Sequence, residues 1–181
     1  MKTLKYTTYL VGIALSTLFV NCSNDDDTPE LINEEEEITR VTFELTSNNT
    51  TTSYTWNEGD SNFTLPLAAD SSYQVAVSFF NASDPSDVEE INPEVIEEAD
   101  EHQVFFENSS SAVTISSSSA DNQDSAGNPL GLKTTWTTSG AGNAVVRLFL
   151  IHEPSTKTGT SRADFEGETD VQVDINVAVS N

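Results

Sequence analysis

From Ile38 onward, apolar and polar residues alternate with a period of two. Val41, Phe43 and Leu45 form the first run, and Tyr54 and Trp56 follow across an Asn/Thr-rich turn. Tyr73, Val75, Val77 and Phe79 form the next run, followed by Val104 with Phe106 and Val113 with Ile115. After a turn-rich stretch from Asp121 to Gly131, the segment Leu132–Thr138 resumes the pattern, and Val146, Leu148 and Leu150 continue it. Val171, Val173, Ile175, Val177 and Val179 alternate without a break and give the clearest strand. Side chains two apart on a strand share a face, so each run predicts a strand with one face buried. Many short strands separated by Gly, Ser, Asn and Asp turns predict an all-β domain over residues 38–181. The expected architecture is an antiparallel β-sandwich with an Ig-like arrangement, with a barrel as the alternative. No strand–helix alternation supports a doubly wound α/β fold.

One segment breaks the rhythm. The connection from Asn81 to Glu101 is longer than a sandwich needs, and long connections often carry function. Asn92-Pro93 reads as an N-cap followed by proline at the first helical position. A short helix is therefore expected from Pro93 to about Asp100, with Val95 and Ala99 facing the sheet.

The first residues read as an address. Lys2 and Lys5 precede an apolar run from Tyr9 to Val20, too short for the ~20 residues that span a bilayer. This is a processing signal rather than a structural element. Its end, Leu18-Phe19-Val20-Asn21-Cys22, is similar to a bacterial lipobox in its cysteine and apolar approach, and departs from it at Val20 and Asn21, where small residues are usual. Residues 1–21 are thus expected to be a lipoprotein signal peptide, with Cys22 acylated after cleavage. The alternative is a leader removed elsewhere, with Cys22 lost or left free. As the only cysteine of the chain, Cys22 cannot form an intrachain disulfide. Acyl chains such as palmitate would tether the chain to a membrane, since each buried CH2 contributes ~0.8 kcal/mol. Residues 22–37 are acidic and poor in apolar side chains, and are expected to form a disordered, self-extending tether.

Charge narrows the partners. The chain carries 7 Lys and Arg against 30 Asp and Glu, for a net charge of −23. Nucleic-acid binding depends on Lys and Arg neutralising phosphates, so this balance argues against it. It favours solubility and draws cations toward the surface.

Against that acidic background, the two histidines stand out. His102 opens one predicted strand and His152 closes another, each on the parity of its core-facing residues. If the strands are antiparallel neighbours, the imidazoles meet at the rim. Glu98 lies four residues before His102, Glu101 and Glu153 adjoin the imidazoles, and Glu166, Glu168 and Asp170 open the last strand, which a 153–168 hairpin would bring beside His152. Imidazole with carboxylates suits Zn2+, with Cu2+ or Ni2+ also possible. The candidate ligands are His102, His152, Glu98, Glu168 and Asp170. The plainer reading is a salt-bridged pair of histidines among many acids, with no metal. Asp121–Asn128 is rich in oxygen ligands but lacks the closing glutamate of a Ca2+ loop, and reads as a turn. Within it, Asp124-Ser125-Ala126 is similar to an O-glycosylation signal of Bacteroidota-type exported proteins, with Ser125 as acceptor. No Gly-x-Ser-x-Gly elbow, phosphate loop or nucleophilic cysteine is present. Nor does any carboxylate pair single itself out for glycoside hydrolysis. The chain is not expected to be an enzyme.

Ser23-Asn24-Asp25-Asp26-Asp27, directly after Cys22, resembles the surface-export tag of Bacteroidota-type lipoproteins. Further likeness lies in Glu97-Glu98-Ala99-Asp100-Glu101-His102-Gln103-Val104-Phe105-Phe106, Gly127-Asn128-Pro129-Leu130-Gly131, His152-Glu153-Pro154 and Gly167-Glu168-Thr169-Asp170-Val171-Gln172-Val173. These segments resemble a group of small flavobacterial-type lipoproteins labelled "type 1 periplasmic binding fold superfamily protein". The label implies an α/β fold, which the strand pattern contradicts. The resemblance implies a lipid-anchored protein of the outer membrane, facing the cell exterior, that accompanies a TonB-dependent receptor in nutrient or metal capture. It implies no activity. The periplasmic face of that membrane, and a protein-binding or structural module with no metal, are the alternatives.

Overall fold

The protein's structure is a computed structural model that describes residues 37–181. The expected signal peptide, Cys22 and the expected tether up to residue 36 lie outside the described residues. The elements are β1 (Arg40–Ser47), β2 (Thr50–Asn57), β3 (Thr64–Ala68), β4 (Ser72–Asn81), β5 (Glu89–Glu90), α1 (Asn92–Glu97), β6 (His102–Asn108), β7 (Val113–Ser117), β8 (Lys133–Thr138), β9 (Gly142–His152), α2 (Arg162–Phe165) and β10 (Glu168–Ser180). They form two sheets, one ordered β2-β1-β4-β8-β7 with β5 added on β4, the other β3-β10-β9-β6. All pairs are antiparallel except β3 with β10. The fold is an all-β sandwich. Its β1-β4-β8-β7 and β10-β9-β6 cores reproduce the two-sheet strand order of Ig domains. β2 is an extra hairpin strand, and β3 crosses to the second sheet to run parallel with the last strand.

The alternating residues fill the space between the sheets. Val41, Phe43, Val75, Val77, Phe79, Leu148, Leu150, Val173 and Ile175 are buried, as the period-two pattern predicts. Trp136 is fully buried, meets Phe106 edge-on at 5.5 Å and donates its indole N–H to Thr134 Oγ1 at 3.0 Å. Asn48 and Asn49 turn β1 into β2 with positive φ of 50° and 61°, the backbone of a tight hairpin turn whose twist matches its strands.

The structure differs from the sequence reading in the long connection. The helix spans Asn92–Glu97, shorter than expected, with Val95 and Ala99 buried as foreseen. Asn92 is not its cap. Its side chain instead donates to Val77 O at 2.8 Å and accepts from Phe79 N at 2.7 Å, filling a gap in the β4 edge between β8 and β5. An amide side chain offers the same donor and acceptor as a peptide group, so it can stand in for a strand.

β9 also departs from a one-sided reading. Val146, Leu148 and Leu150 face the sandwich core, while Phe149 and Ile151 are buried on the outer face with Phe105 and Phe165. Phe165 is delivered by α2, so the connection after His152 is not a plain hairpin but a strap folded over the sheet. Asp164 holds its start: the carboxylate accepts from the N–H groups of Thr160 and Ser161, each at 2.8 Å. Arg162 closes its end, donating to Glu166 O, Gly167 O and Thr169 Oγ1.

Two outcomes test this account. Gly131 has φ of +92°, and a Cβ there would sit 2.2 Å from Val104 O. Gly131→Ala therefore combines backbone strain with a clash against rigid main chain, and should cost at least ~2 kcal/mol in urea unfolding. Asp164 has its carboxyl held below the usual range by the N–H groups of Thr160 and Ser161. A depressed folded-state value means the contribution is complete above the ordinary carboxylate range and is lost as pH falls through the lowered value. Relative to the intrinsic exchange rate at each pH, hydrogen-exchange protection at Ser161–Phe165 should fall under acid, and Asp164→Ala should lower it at neutral pH with the sheets still protected.

Candidate metal centre at the sandwich rim

The register of the second sheet assembles the site. His102 lies directly opposite His152 across β6 and β9, and His152 lies directly opposite Glu168 across β9 and β10. Both imidazoles are buried, at 0% and 5% exposure. They stack with centroids 4.8 Å apart and planes 5° from parallel. The histidines that the strand pattern placed at one rim do meet.

Their mode of meeting limits what they can share. An imidazole binds a metal through an in-plane nitrogen lone pair, so the ion lies in the ring plane. Stacked parallel planes have no common line, and one ion cannot bind both rings unless one turns. His102 has other neighbours: its Nδ1 lies 3.2 Å from Glu98 O and 4.0 Å from the Glu98 carboxylate. Glu98 is thus beside His102, as its four-residue spacing anticipated, although the helix has already ended.

His152 is the ring with carboxylates gathered around it. One of its nitrogens and carboxylate oxygens of Glu101 and Glu153 all lie within 4.8 Å of one another, the only group of three or more His, Cys, Asp or Glu side chains so placed among the described residues. The backbone makes this possible. Glu153 N donates to Glu101 O at 2.7 Å, tying the end of β9 to the turn before β6. Glu153 itself has φ of +47°, a left-handed conformation that turns the chain out of the strand. Of the carboxylates expected from the last strand, Glu168 is exposed across from His152. Asp170 occupies a β-bulge, its carboxylate oxygens shielded from solvent. Neither joins the three-membered group. The His152 Nδ1 is buried without a hydrogen-bond partner.

A cation of the chain lies behind the group. Lys157 Nζ donates to Ala99 O at 2.9 Å and to His102 O. Partial burial pushes its pKa down, and the carboxylates of Asp124, Asp100 and Glu101 oppose that shift. The ammonium thus satisfies carbonyls at the end of the helical turn and offsets some of the negative charge at Glu101.

The Asp121–Asn128 segment is a self-contained turn. Asp121 accepts from Gly131 N at 2.6 Å and Lys133 N at 2.8 Å, with burial pushing its carboxyl up against those bonds. Asp124 accepts from the Asn128 side chain and from the N–H groups of Ala126 and Asn128, and its pKa is lowered, chiefly by the Asn128 side chain. These carboxylates are engaged with the loop's own donors, which is what a turn requires. Ser125 is exposed in it, its N–H bonded to Asp100.

No protein-family model and no curated protein matches the chain.

One further outcome bears on the site. Gly167 has φ of +63°, and a Cβ on it would lie 2.4 Å from His152 O and 2.8 Å from Glu153 O. Gly167→Ala should therefore displace the His152–Glu153 backbone, seen as chemical-shift changes concentrated at Glu101, His152 and Glu153.

Proposed function

We propose that this protein is a non-catalytic lipoprotein of the outer membrane, anchored at Cys22 and facing the cell exterior, that captures a divalent transition metal. Its ligands are His152, Glu101 and Glu153, and it serves as accessory to a TonB-dependent uptake receptor. The observation that carries the metal reading is the convergence of a buried imidazole with two carboxylates within 4.8 Å. One nitrogen and two oxygens form a donor set suited to Zn2+ and also to Cu2+. Three protein ligands leave a position open, as suits an ion that is handed on rather than locked in. His102 packs on the His152 ring and fixes its plane, and Glu98 flanks His102 rather than the ion. The anchor and the receptor partnership rest on the acidic tag after Cys22 and on the lipoprotein resemblance. The net negative charge would concentrate cations near the rim.

Calorimetric titration with Zn2+ tests the metal reading. The native chain should bind one ion, and Glu101→Gln/Glu153→Gln should weaken binding at least tenfold with unchanged thermal unfolding, since both side chains are exposed. Glu168→Gln should leave the affinity nearly unaltered. Equal binding by the native and double-variant chains would move the ion to another site, and no binding by the native chain would leave a metal-free protein-binding module. The anchor is tested separately: Cys22→Ser should abolish incorporation of labelled palmitate and release the protein from membranes, whatever the metal result.

A further inference from the structure

The sandwich has exposed strand edges, and they are not treated alike. β3 is five residues long and carries Pro66 at its centre, and a proline there cannot extend a ladder. β6 is covered where Val104 N donates to Leu130 O, Gln103 Nε2 to the same carbonyl, and Lys157 Nζ to His102 O. β7 is also five residues long, and the Asn108 side chain occupies Val113 O. β2 is different. It runs for eight residues, Thr-Thr-Thr-Ser-Tyr-Thr-Trp-Asn, with no proline, glycine or charge, and it ends its sheet. It pairs with β1 residue for residue without a bulge, and no described strand pairs with its outer side. Natural edges are usually blunted by charge, proline, bulges or shortness. A long neutral edge in a chain of net charge −23 lacks these protections except at its last residue, where Asn57 N donates to the Asp60 carboxylate at 2.9 Å.

From this edge we infer that β2 pairs antiparallel with β2 of a second copy, joining the two first sheets across a two-fold axis. The neutral, self-complementary Thr/Ser edge selects this occupant, and charge placement selects this direction. The nearest acids in sequence, Glu58 and Asp60, follow the C-terminal end of β2, whereas Asn48 and Asn49 precede its N-terminal end. Antiparallel pairing sets the acidic end of one copy beside the asparagine end of the other, about 27 Å from its own counterpart at ~3.4 Å per residue. Parallel pairing would set the acids side by side. Glu44, one strand inward, would face its counterpart across three strand spacings, about 14 Å, beyond the ~8 Å screening length at physiological salt. The contact is then polar and self-complementary, Thr and Ser meeting Thr and Ser, as Thr46 and Thr51 already do across β1 and β2 at 2.7 Å. The edge is held in place from beneath. Trp56 is buried and donates to Asp60 O at 3.2 Å, so little order would be lost on pairing. A two-fold contact uses the same surface on both copies and closes at a dimer.

Sedimentation of the full chain in detergent tests this independently of the metal site. A concentration-dependent dimer is expected, strengthened by added salt because the remaining repulsion between acidic copies is screened. Thr51→Glu/Thr55→Glu should weaken it at least tenfold. Ser53→Lys, which gives Glu44 an opposite-charge partner across β1 and so preserves the hairpin, should also weaken it. Thr114→Glu/Ser116→Glu on β7 should not. A monomer at every concentration would overturn the inference, as would a dimer indifferent to the β2 variants, open-ended oligomers, or an unrelated protein as the sole occupant of β2.

Discussion

The rim cluster depends on the register of β9 between β6 and β10. Because side chains alternate along a strand, a slip of one residue exchanges its faces. On β9 that slip would drive Arg147 into the sandwich, where Leu148 now sits. Burying a charge without a partner is among the costliest events in folding. In register, Arg147 stays outside, 3.2 Å from Asp174 and 3.5 Å from Glu107. These exposed ion pairs contribute little themselves. What they mark is the position that the core excludes. The same register that keeps Arg147 outside sets His102 against His152, and His152 against Glu168.

Electrostatics then shapes the rim in a chain with few cations. Lys157 and Arg162 are used on backbone carbonyls rather than spread over the acidic surface. Both lie in the strap between β9 and β10, so the segment that follows His152 supplies its own countercharge. Lys157 is partly desolvated, which disfavours its charge, and the surrounding acids restore it. The acids of this end thus do two jobs: some hold the ammonium, while Glu153, with Glu101, lies beside the imidazole.

Much of this was legible in the sequence, and the losses have physical causes. The β10 alternation located a strand with one buried face, and the placement of His102 and His152 at strand ends located their meeting point. The strap was not legible because α2 is one turn long and carries a single anchoring aromatic, Phe165, too little for any periodicity. A signal for it existed in Leu148-Phe149-Leu150-Ile151, an unbroken apolar run that implies burial on both faces. Asn92, placed before Pro93, has the sequence signature of a cap. Only the tertiary fold shows that the β4 edge lacks a partner at that point. Glu168 and Asp170, at the start of the last strand, were the natural choice beside His152. Yet a bulge moved Asp170 out of the ladder, and a left-handed turn brought in Glu153. Neither bulge nor turn has a local signature in these residues.

That left-handed turn has a structural counterweight. A non-glycine residue at positive φ costs on the order of 1–3 kcal/mol where neighbours enforce it, and Glu153 is such a residue. Its backbone is enforced from two sides, by the N–H bond to Glu101 O and by the close approach of Gly167 to the carbonyls of His152 and Glu153. Gly167 is needed twice there, for its own positive φ of 63° and for the missing Cβ. Glu166, at φ of 55°, completes a tight return into β10 while Phe165 is buried under the sheet. Burying that ring offsets strain in the turns at both ends of the strap. The position of Glu153 is therefore set by an aromatic and a glycine that are not members of the cluster. Substitutions outside the cluster can disperse it without removing any of its members.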